Sequence, residues 1–345
     1  MDRAIVLANG AAGRGHNQRR MRRVERVCAE LGVELVRTGS AQETRQQARR
    51  AAQQGYARVI AAGGDGTAHW VINGLAGTGA ALGIIPLGSG NDMARNLGLP
   101  LEVEAATRAA VTGTVRRADL GRIRVQSPRS QVPGQEHNAA PGSTGVSPAG
   151  SQTAVAGPAG ETPALPGPAS PALDLGPGTL DQFFGCIASF GLDSHANRIA
   201  NRHQRLRGAL IYIYALLRSL VEYRVPQVTI RGDIGEFSGP VILVAAANAP
   251  SYGGGMRLAP RAEMADGMLD LCIVGDMSRL KLLRCFPEVF FGTHLRHREI
   301  TCLRTAGFRL EADRPLEVFA DGEFQGLTPA DVAVLPGALA FVAPK

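Results

Sequence analysis

Lysine is almost missing from this sequence: Lys281 and Lys345 are the only two, against a combined lysine and arginine count of 37. That shortage excludes several nucleotide-binding designs. A Walker A loop needs Gly-Lys-Ser/Thr, and the first lysine comes only at position 281. The protein-kinase pattern fails for want of its lysine and its catalytic loop. The dinucleotide pattern GxGxxG also fails, because Gly13-x-Gly15 meets Gln18 and Gly88-x-Gly90 meets Met93. Cysteine is sparse: Cys28, Cys186, Cys272, Cys285 and Cys302 form no CxxC pair. Zinc and disulfide frameworks are therefore not expected, and the thiols read as free in a reducing compartment. Long apolar runs are lacking too. Val241 to Ala247 falls well short of the ~20 residues that span a bilayer, and the apolar start at Ala4–Ala8 is too short for a signal peptide. The expectation is a soluble, cytoplasmic protein. Aromatic residues make up 5%, with no aromatic-rich reading surface, so nucleic acid is not an expected partner.

What is present is arginine, glycine and a formal charge of +7. Arginine offers a fork of donors suited to phosphate, and the balance suits a nucleotide or an anionic membrane as partner. Arg19, Arg20, Arg22, Arg23 and Arg26 sit on a predicted helix and read first as its solvated face.

The 345 residues favour two domains. Over 1–118, short apolar runs at Ala4–Ala8, Val33–Arg37, Ala57–Ala62 and Ala81–Pro86 alternate with helical patterns. Met21, Val24, Val27, Cys28 and Leu31 mark one helix, and a polar one near Gln42–Gln54 buries its alanines. This predicts an α/β domain with a parallel sheet and helices on both faces. Over 119–345, strand candidates at Val115–Val125, Gln182–Ser189, Gln227–Arg231, Val241–Ala247, Met268–Val274, Phe308–Glu311 and Leu316–Ala320 predict a mainly antiparallel, β-sandwich-like domain with attached helices. One helix is predicted over Arg207–Glu222, unusually apolar and read as buried before membrane-facing. Another is predicted over Ser278–Phe291, with Pro287 expected to bend or split it. Ser127 to Thr179 holds ten of the 21 prolines and no Ile, Met, Phe, Tyr or Trp; it reads as a disordered insertion at 127–179.

Three small-residue turns close predicted parallel strands: Asn9-Gly10-Ala11-Ala12-Gly13-Arg14-Gly15, Gly63-Gly64-Asp65-Gly66-Thr67, and Gly88-Ser89-Gly90-Asn91-Asp92. Glycines let the backbone approach phosphate, and helix-start amides point at an anion. Asp65 suits such a place if Mg²⁺ stands between it and phosphate. All three turns fall on the sheet edge where open α/β folds bind ligands. A plain strand-to-helix turn is the simpler reading of any one alone. In the second half, Asp266-Gly267-Met268-Leu269-Asp270 precedes a strand, and Asp321-Gly322-Glu323 puts two carboxylates at one turn. Proximity of like charge raises a carboxylate's pKa toward that of a general base; a solvated hairpin is the simpler alternative. His294 and His297 lack an acidic partner pattern for a metal, and His16 and His69 fall near the proposed cleft.

In this order the motifs, with Ser189-Phe190-Gly191-Leu192-Asp193 and Ala259-Pro260, resemble the diacylglycerol kinase-like lipid kinases, which include sphingosine and ceramide kinases. The resemblance spans nearly the whole chain apart from the insertion. It implies ATP and a lipid presented at a membrane surface meeting in an interdomain cleft, in a protein peripheral to the inner face of the membrane; a homodimer is left open. It implies ATP contacts at Asn9, Gly10, Ala11, Ala12, Gly13, Arg14, Thr38, Gly63, Gly64, Asp65, Gly66, Thr67, Ala68, His69, Trp70 and Ser89, with Asp65 acting through Mg²⁺. It also implies a structural Mg²⁺ on Asp266 with the backbone carbonyls of Glu263 and Met268. Glu323, supported by Asp321, takes the place of the general base, and diacylglycerol is the expected substrate. An NAD-kinase-like soluble kinase, a sphingoid-type lipid kinase and a non-catalytic nucleotide- or lipid-binding regulator are the alternatives. Gly10 stands where the family usually has proline, and Leu192 where an aromatic is usual.

Overall fold

The computed structural model describes residues 2–9, 17–126, 179–202, 218–219 and 222–345. Four strands form the sheet of the first half: β1 (Ala4–Asn9), β2 (Glu34–Thr38), β3 (Arg58–Gly63) and β4 (Ala81–Pro86), parallel and ordered β2-β1-β3-β4. Successive side chains leave a strand on opposite faces, and here both faces are covered. Leu7, Val59, Ala61 and Leu82 pack with Ala48 and Ala51 of α2 (Ala41–Gln53) and with Val71 and Ile72 of α3 (Asp65–Leu75). Val6, Ala8, Ile60 and Ile85 pack with Met21, Val24 and Cys28 of α1 (Asn17–Leu31) and with Ala110 and Val111 of α5 (Val103–Thr112), which follows the short α4 (Asp92–Asn96). Double burial is why these strands read as unbroken apolar runs.

The second half is antiparallel. Its strands are β5 (Thr114–Gln126), β6 (Thr179–Phe184), β7 (Ile187–Gly191), β8 (Gln227–Gly232), β9 (Gly235–Ala247), β10 (Leu269–Gly275), β11 (Ile300–Thr305), β12 (Gly307–Ala312), β13 (Glu317–Ala320) and β14 (Glu323–Ala343). The pairings β9-β7-β13-β14-β12-β8 return to β9 and enclose Phe190, Ile230, Val244, Phe308, Leu310 and Val318. Helices α6 (Leu192–Arg202) and α7 (Arg279–Phe291) are attached to it. β14 is 21 residues long, and near its end Phe341 pairs in parallel with Leu82 of β4. The two halves therefore share one 14-stranded sheet.

Several sequence expectations need correction. Gln182–Ser189 is not one strand: the chain breaks between β6 and β7 at Gly185 and Cys186, where a carboxylate described below takes the amides. Pro287 does not split its helix, which runs unbroken over Arg279–Phe291. Pro287 and Leu283, the residue whose carbonyl loses its helical partner, both lie on the exposed side. Cys272 and Cys302 are not free thiols but a disulfide, Cα–Cα 4.3 Å, because β10 and β11 set them directly opposite each other. β11 and β14 were missed altogether. β11 is an edge strand with little apolar patterning, and β14 contains Pro329 and Pro336, which read as turns but sit where its register with β5 shifts. The Ser127–Thr179 segment lies outside the described residues except Thr179, which opens β6, and the Arg207–Glu222 helix lies outside them except Arg218, Ser219 and Glu222. Among the described residues no helix is long and apolar enough to cross a membrane.

Candidate active site

The β3–α3 and β4–α4 turns press backbone against backbone. A Cβ on Gly88 would lie 2.7 Å from the Gly64 Cα, and one on Gly63 would lie 2.2 Å from Thr67 Oγ1. Only glycine permits either approach. Gly64 precedes α3 without a side-chain cap; the amides of Thr67 and Ala68 donate to the Gly64 carbonyl at 3.0 and 3.2 Å, which leaves those of Asp65 and Gly66 as the helix-start donors for an anion. Asn91, at φ 54°, closes the second turn: its Oδ1 accepts from Gly88 N at 2.9 Å and its Nδ2 donates to Gly88 O at 2.8 Å. Arg20 on α1 donates to the carbonyls of Pro86 and Leu87 at 2.7 and 3.2 Å. One member of the arginine cluster thus braces this turn instead of facing solvent.

Against these turns comes the β13–β14 hairpin. Ala320 pairs with Glu323 across a two-residue loop, and Asp321 and Gly322 both take positive φ, 50° and 85°. Asp-Gly suits that conformation. This turn is not simply solvated. Asp321 Oδ1 accepts from the amides of Cys186 and Ile187 at 2.9 and 3.0 Å, and Oδ2 accepts from Gly185 N at 2.8 Å and faces His69 Nδ1 at 3.3 Å. His69 is 1% exposed. Its Nε2 faces the amide Nε2 of Gln325 at 3.2 Å, so the partners place the proton on Nδ1. Asn73, one turn along α3, exchanges two 2.9 Å hydrogen bonds with the Phe183 backbone. Asp321 and His69 thus tie α3, the β6–β7 break and the hairpin together.

Glu323 lies directly over the start of α3: a Cβ on Gly66 would be 2.7 Å from its Oε1. Burial pushes its carboxyl pKa up, Asp321 adds to the rise, and His69 and a hydrogen bond from Trp70 oppose it. Asp65 precedes Gly66 in the chain, and Asp65 Oδ1 accepts from Met93 N at 3.1 Å. Burial, with Asp92 and Asp321 nearby, pushes Asp65 up to about 6. Asp92 Oδ2 accepts from Gly254 N at 2.8 Å, while its Oδ1 is buried without a hydrogen-bond partner. Asp65 and Asp92 open onto a cavity of about 130 Å³ lined also by His69, Asp193 and Asp321 together with apolar Ile72, Met93, Ile187 and Met256; Glu323 is not part of the lining, but its neighbours Asp321 and Gly322 are. The lining comes from both halves of the chain and includes no lysine or arginine.

Other predicted residues fall as follows. Asn9 ends β1 and its Nδ2 is 3.5 Å from Thr67 Oγ1. Gly10, Ala11, Ala12, Gly13, Arg14 and His16 lie outside the described residues. Thr38 ends β2 and is buried, its hydroxyl 2.7 Å from that of Thr44. Ala68 lines the cavity and Ser89 is exposed on the second turn. Asp266, Glu263 and Met268 are not among the cavity residues. Asp266 Oδ1 accepts from Met268 N at 3.0 Å and Oδ2 takes the guanidinium of Arg304. The cation at this carboxylate is an arginine, so the donors as placed do not fit Mg²⁺. His297 does have an acidic partner, Glu288, at 2.8 Å. Cys285 and Glu288 of α7 form a close group with His297, beyond the helix end, but the carboxylate is shared with Arg296. Sequence reasoning missed Asp92, Asn73 and Gln325 as site residues. Asn73 was within reach, being one helical turn from His69.

The two halves match two domain families in succession. Residues 3–123 match the diacylglycerol kinase catalytic domain, and residues 186–343 the YegS C-terminal NAD kinase beta sandwich-like domain. Over 318 residues the chain is 31% identical to a diacylglycerol kinase of Mycobacterium tuberculosis, covering 91% of this chain and 86% of that one. It is 25% identical to a diacylglycerol kinase of Bacillus subtilis over 100% and 97% of the two chains. A solved Bacillus anthracis structure shares the fold, with a TM-score of 0.70 at 20% identity over 99% of this chain and 97% of that one. The chain belongs to the diacylglycerol kinase-like lipid kinase family, and it is a kinase enzyme.

Proposed function

We propose that the enzyme transfers the γ-phosphate of ATP to a hydroxyl of a membrane lipid, diacylglycerol before other lipids, with Glu323 as general base. One observation carries this: the Glu323 carboxylate lies over Gly66, the residue after Asp65, where the start of α3 in the α/β half meets the β13–β14 hairpin of the β-rich half. Its burial makes it more basic than a solvated carboxylate. The open amides at the start of α3 are placed to hold phosphate oxygens as charge develops on the transferring group. Asp321, with every polar contact made to backbone and His69, acts as a positioning residue for the hairpin that bears Glu323.

The cavity acids fit a divalent cation. Asp92 has an orphaned buried oxygen, the Asp65 carboxyl is pushed up, and no lysine or arginine lines the space. Asp65 and Asp92 would hold Mg²⁺, which would supply charge neutralisation at the phosphates.

The test is transfer of labelled phosphate from ATP to diacylglycerol, a sphingoid base and NAD, assayed in parallel. Label is expected on diacylglycerol, with Glu323→Gln lowering the rate about 10²-fold or more while its thermal unfolding stays that of the wild type. Label on NAD alone, or an undiminished Glu323→Gln enzyme, would overturn the reading.

A further inference from the structure

Helix α7 is apolar on both its inward and its outward side. Its inward side carries Cys285, buried, and the half-buried Leu282 and Val289. Its outward side carries Leu280 at 59% exposure, Leu283 and Phe290 at 42% each, and Phe291 at 75%. Pro287 is exposed among them. Positions 280, 283, 287 and 291 follow the spacing of one helical stripe, with 290 beside it. Of the eight large apolar side chains exposed among the described residues, four are on this helix. A stripe of this kind on a soluble surface marks a contact with something apolar.

The flanks say what that is. Arg279 and Arg284 are exposed on either side of the stripe, and Arg257 is exposed beside the end of the helix, its amide donating to the Val289 carbonyl at 2.9 Å. Among the described residues, none of these three arginines makes an ion pair. The other charges of α7 are neutralised away from the stripe, Lys281 by Glu299 and Glu288 by Arg296 and His297. An apolar face rimmed by uncompensated arginines is the composition of a helix lying in the headgroup region of an anionic bilayer.

We propose that α7 is the surface on which this enzyme rests on an anionic membrane. The loop that joins it to the cavity supports the choice of occupant. Arg257 bonds to the helix, and Tyr252, Gly253 and Met256, one to five residues earlier, line the cavity. The helix and the cavity therefore share the 252–257 loop, and a lipid leaving the bilayer beside α7 meets the loop that lines the cavity. This inference rests on the lipid-kinase reading for the purpose of docking but not for the docking itself.

The test is sedimentation of the full-length protein, without ATP, with phosphatidylcholine vesicles made with and without phosphatidylglycerol. Two variants are compared: Leu283→Asp/Phe291→Asp and Arg279→Glu/Arg284→Glu. All four side chains are exposed, so both variants are expected to fold. The first is expected to weaken binding about tenfold or more, and the second to remove the preference for phosphatidylglycerol. Turnover of a short-chain diacylglycerol in solution is expected to be unchanged in both, while turnover of the same lipid in vesicles falls. Wild-type vesicle binding by both variants would overturn the proposal. So would unchanged binding accompanied by a smaller particle in light scattering for Phe291→Asp, which would make the stripe a contact between copies. If the wild type binds vesicles and the variants do not, yet no lipid is phosphorylated, the kinase substrate is wrong and the docking surface stands.

Discussion

The cleft and the Asp266 turn are both acidic, and they are built on opposite plans. At the Asp266 turn Asp266 and Asp119 each have donors, while Asp270 is pushed up by burial. Arg304 and the Met268 amide take Asp266, and the amides of Gly267 and Gly337 take Asp119 at 2.7 Å each. In the cleft, Asp65 and Glu323 are pushed up by burial, and Asp92 keeps an oxygen with no partner. Only Asp321 there is fully engaged, and its donors are backbone amides and His69. Acids satisfied within the protein hold a turn in shape. Acids buried together without a cation lower stability and are kept where a ligand brings the missing charge.

Four substitutions sharpen or break that contrast. The largest effect is expected from Asp321→Ala, which strands three backbone amides in a buried place. A loss of roughly 3–5 kcal/mol in denaturant unfolding is predicted, and a loss below about 1 kcal/mol would make Asp321 a bystander. Next comes Gly66→Ala. Its methyl meets the far end of the flexible Glu323 side chain at 2.7 Å, so Glu323 moves and the fold does not. The kcat is expected to fall about ten- to a hundredfold at nearly unchanged unfolding midpoint; a variant that unfolds but retains kcat would refute the contact.

Asp65→Asn is expected to trade activity for stability. The folded-state pKa of Asp65 is raised to about 6 from 3.8, so the folded protein binds this proton more tightly than the unfolded chain. Its contribution is fully present below the ordinary carboxylate value and is lost as pH rises through about 6. The asparagine variant should therefore be more stable than wild type by roughly 1–2 kcal/mol above pH 7, with the gain shrinking below pH 5. An equal gain at both pH values would exclude ionisation as its cause. The smallest effect is expected from Arg304→Ala: its side chain is 56% exposed, and a loss under about 1 kcal/mol is predicted. A larger loss would show that the Asp266 turn depends on its cation.

The sequence made the α/β half legible because its signals are local. The doubly buried strands β1, β3 and β4 read as apolar runs, and each glycine turn was spelled beside the strand it closes. Asp65 and Glu323 were likewise spelled in short local turns. What escaped depended on partners distant in the chain. The break at Gly185 follows from a carboxylate at position 321, and the pairing of Cys272 with Cys302 follows from the register of two strands, one of them an edge strand with little pattern of its own. β14 escaped because its prolines look like turns until its partner's irregular register is seen. The glycine at 66 was read as a phosphate-binding residue; that it also clears space for Glu323 is visible only once the halves are assembled.

The strand that begins at Glu323 finishes beside Leu82. The carboxylate proposed as base and the sheet of the α/β half are consequently ends of one girder. A hinge that opened the halves widely would have to unzip that strand from β4, so under the proposed function entry and exit of reactants would fall to the loops around the cavity.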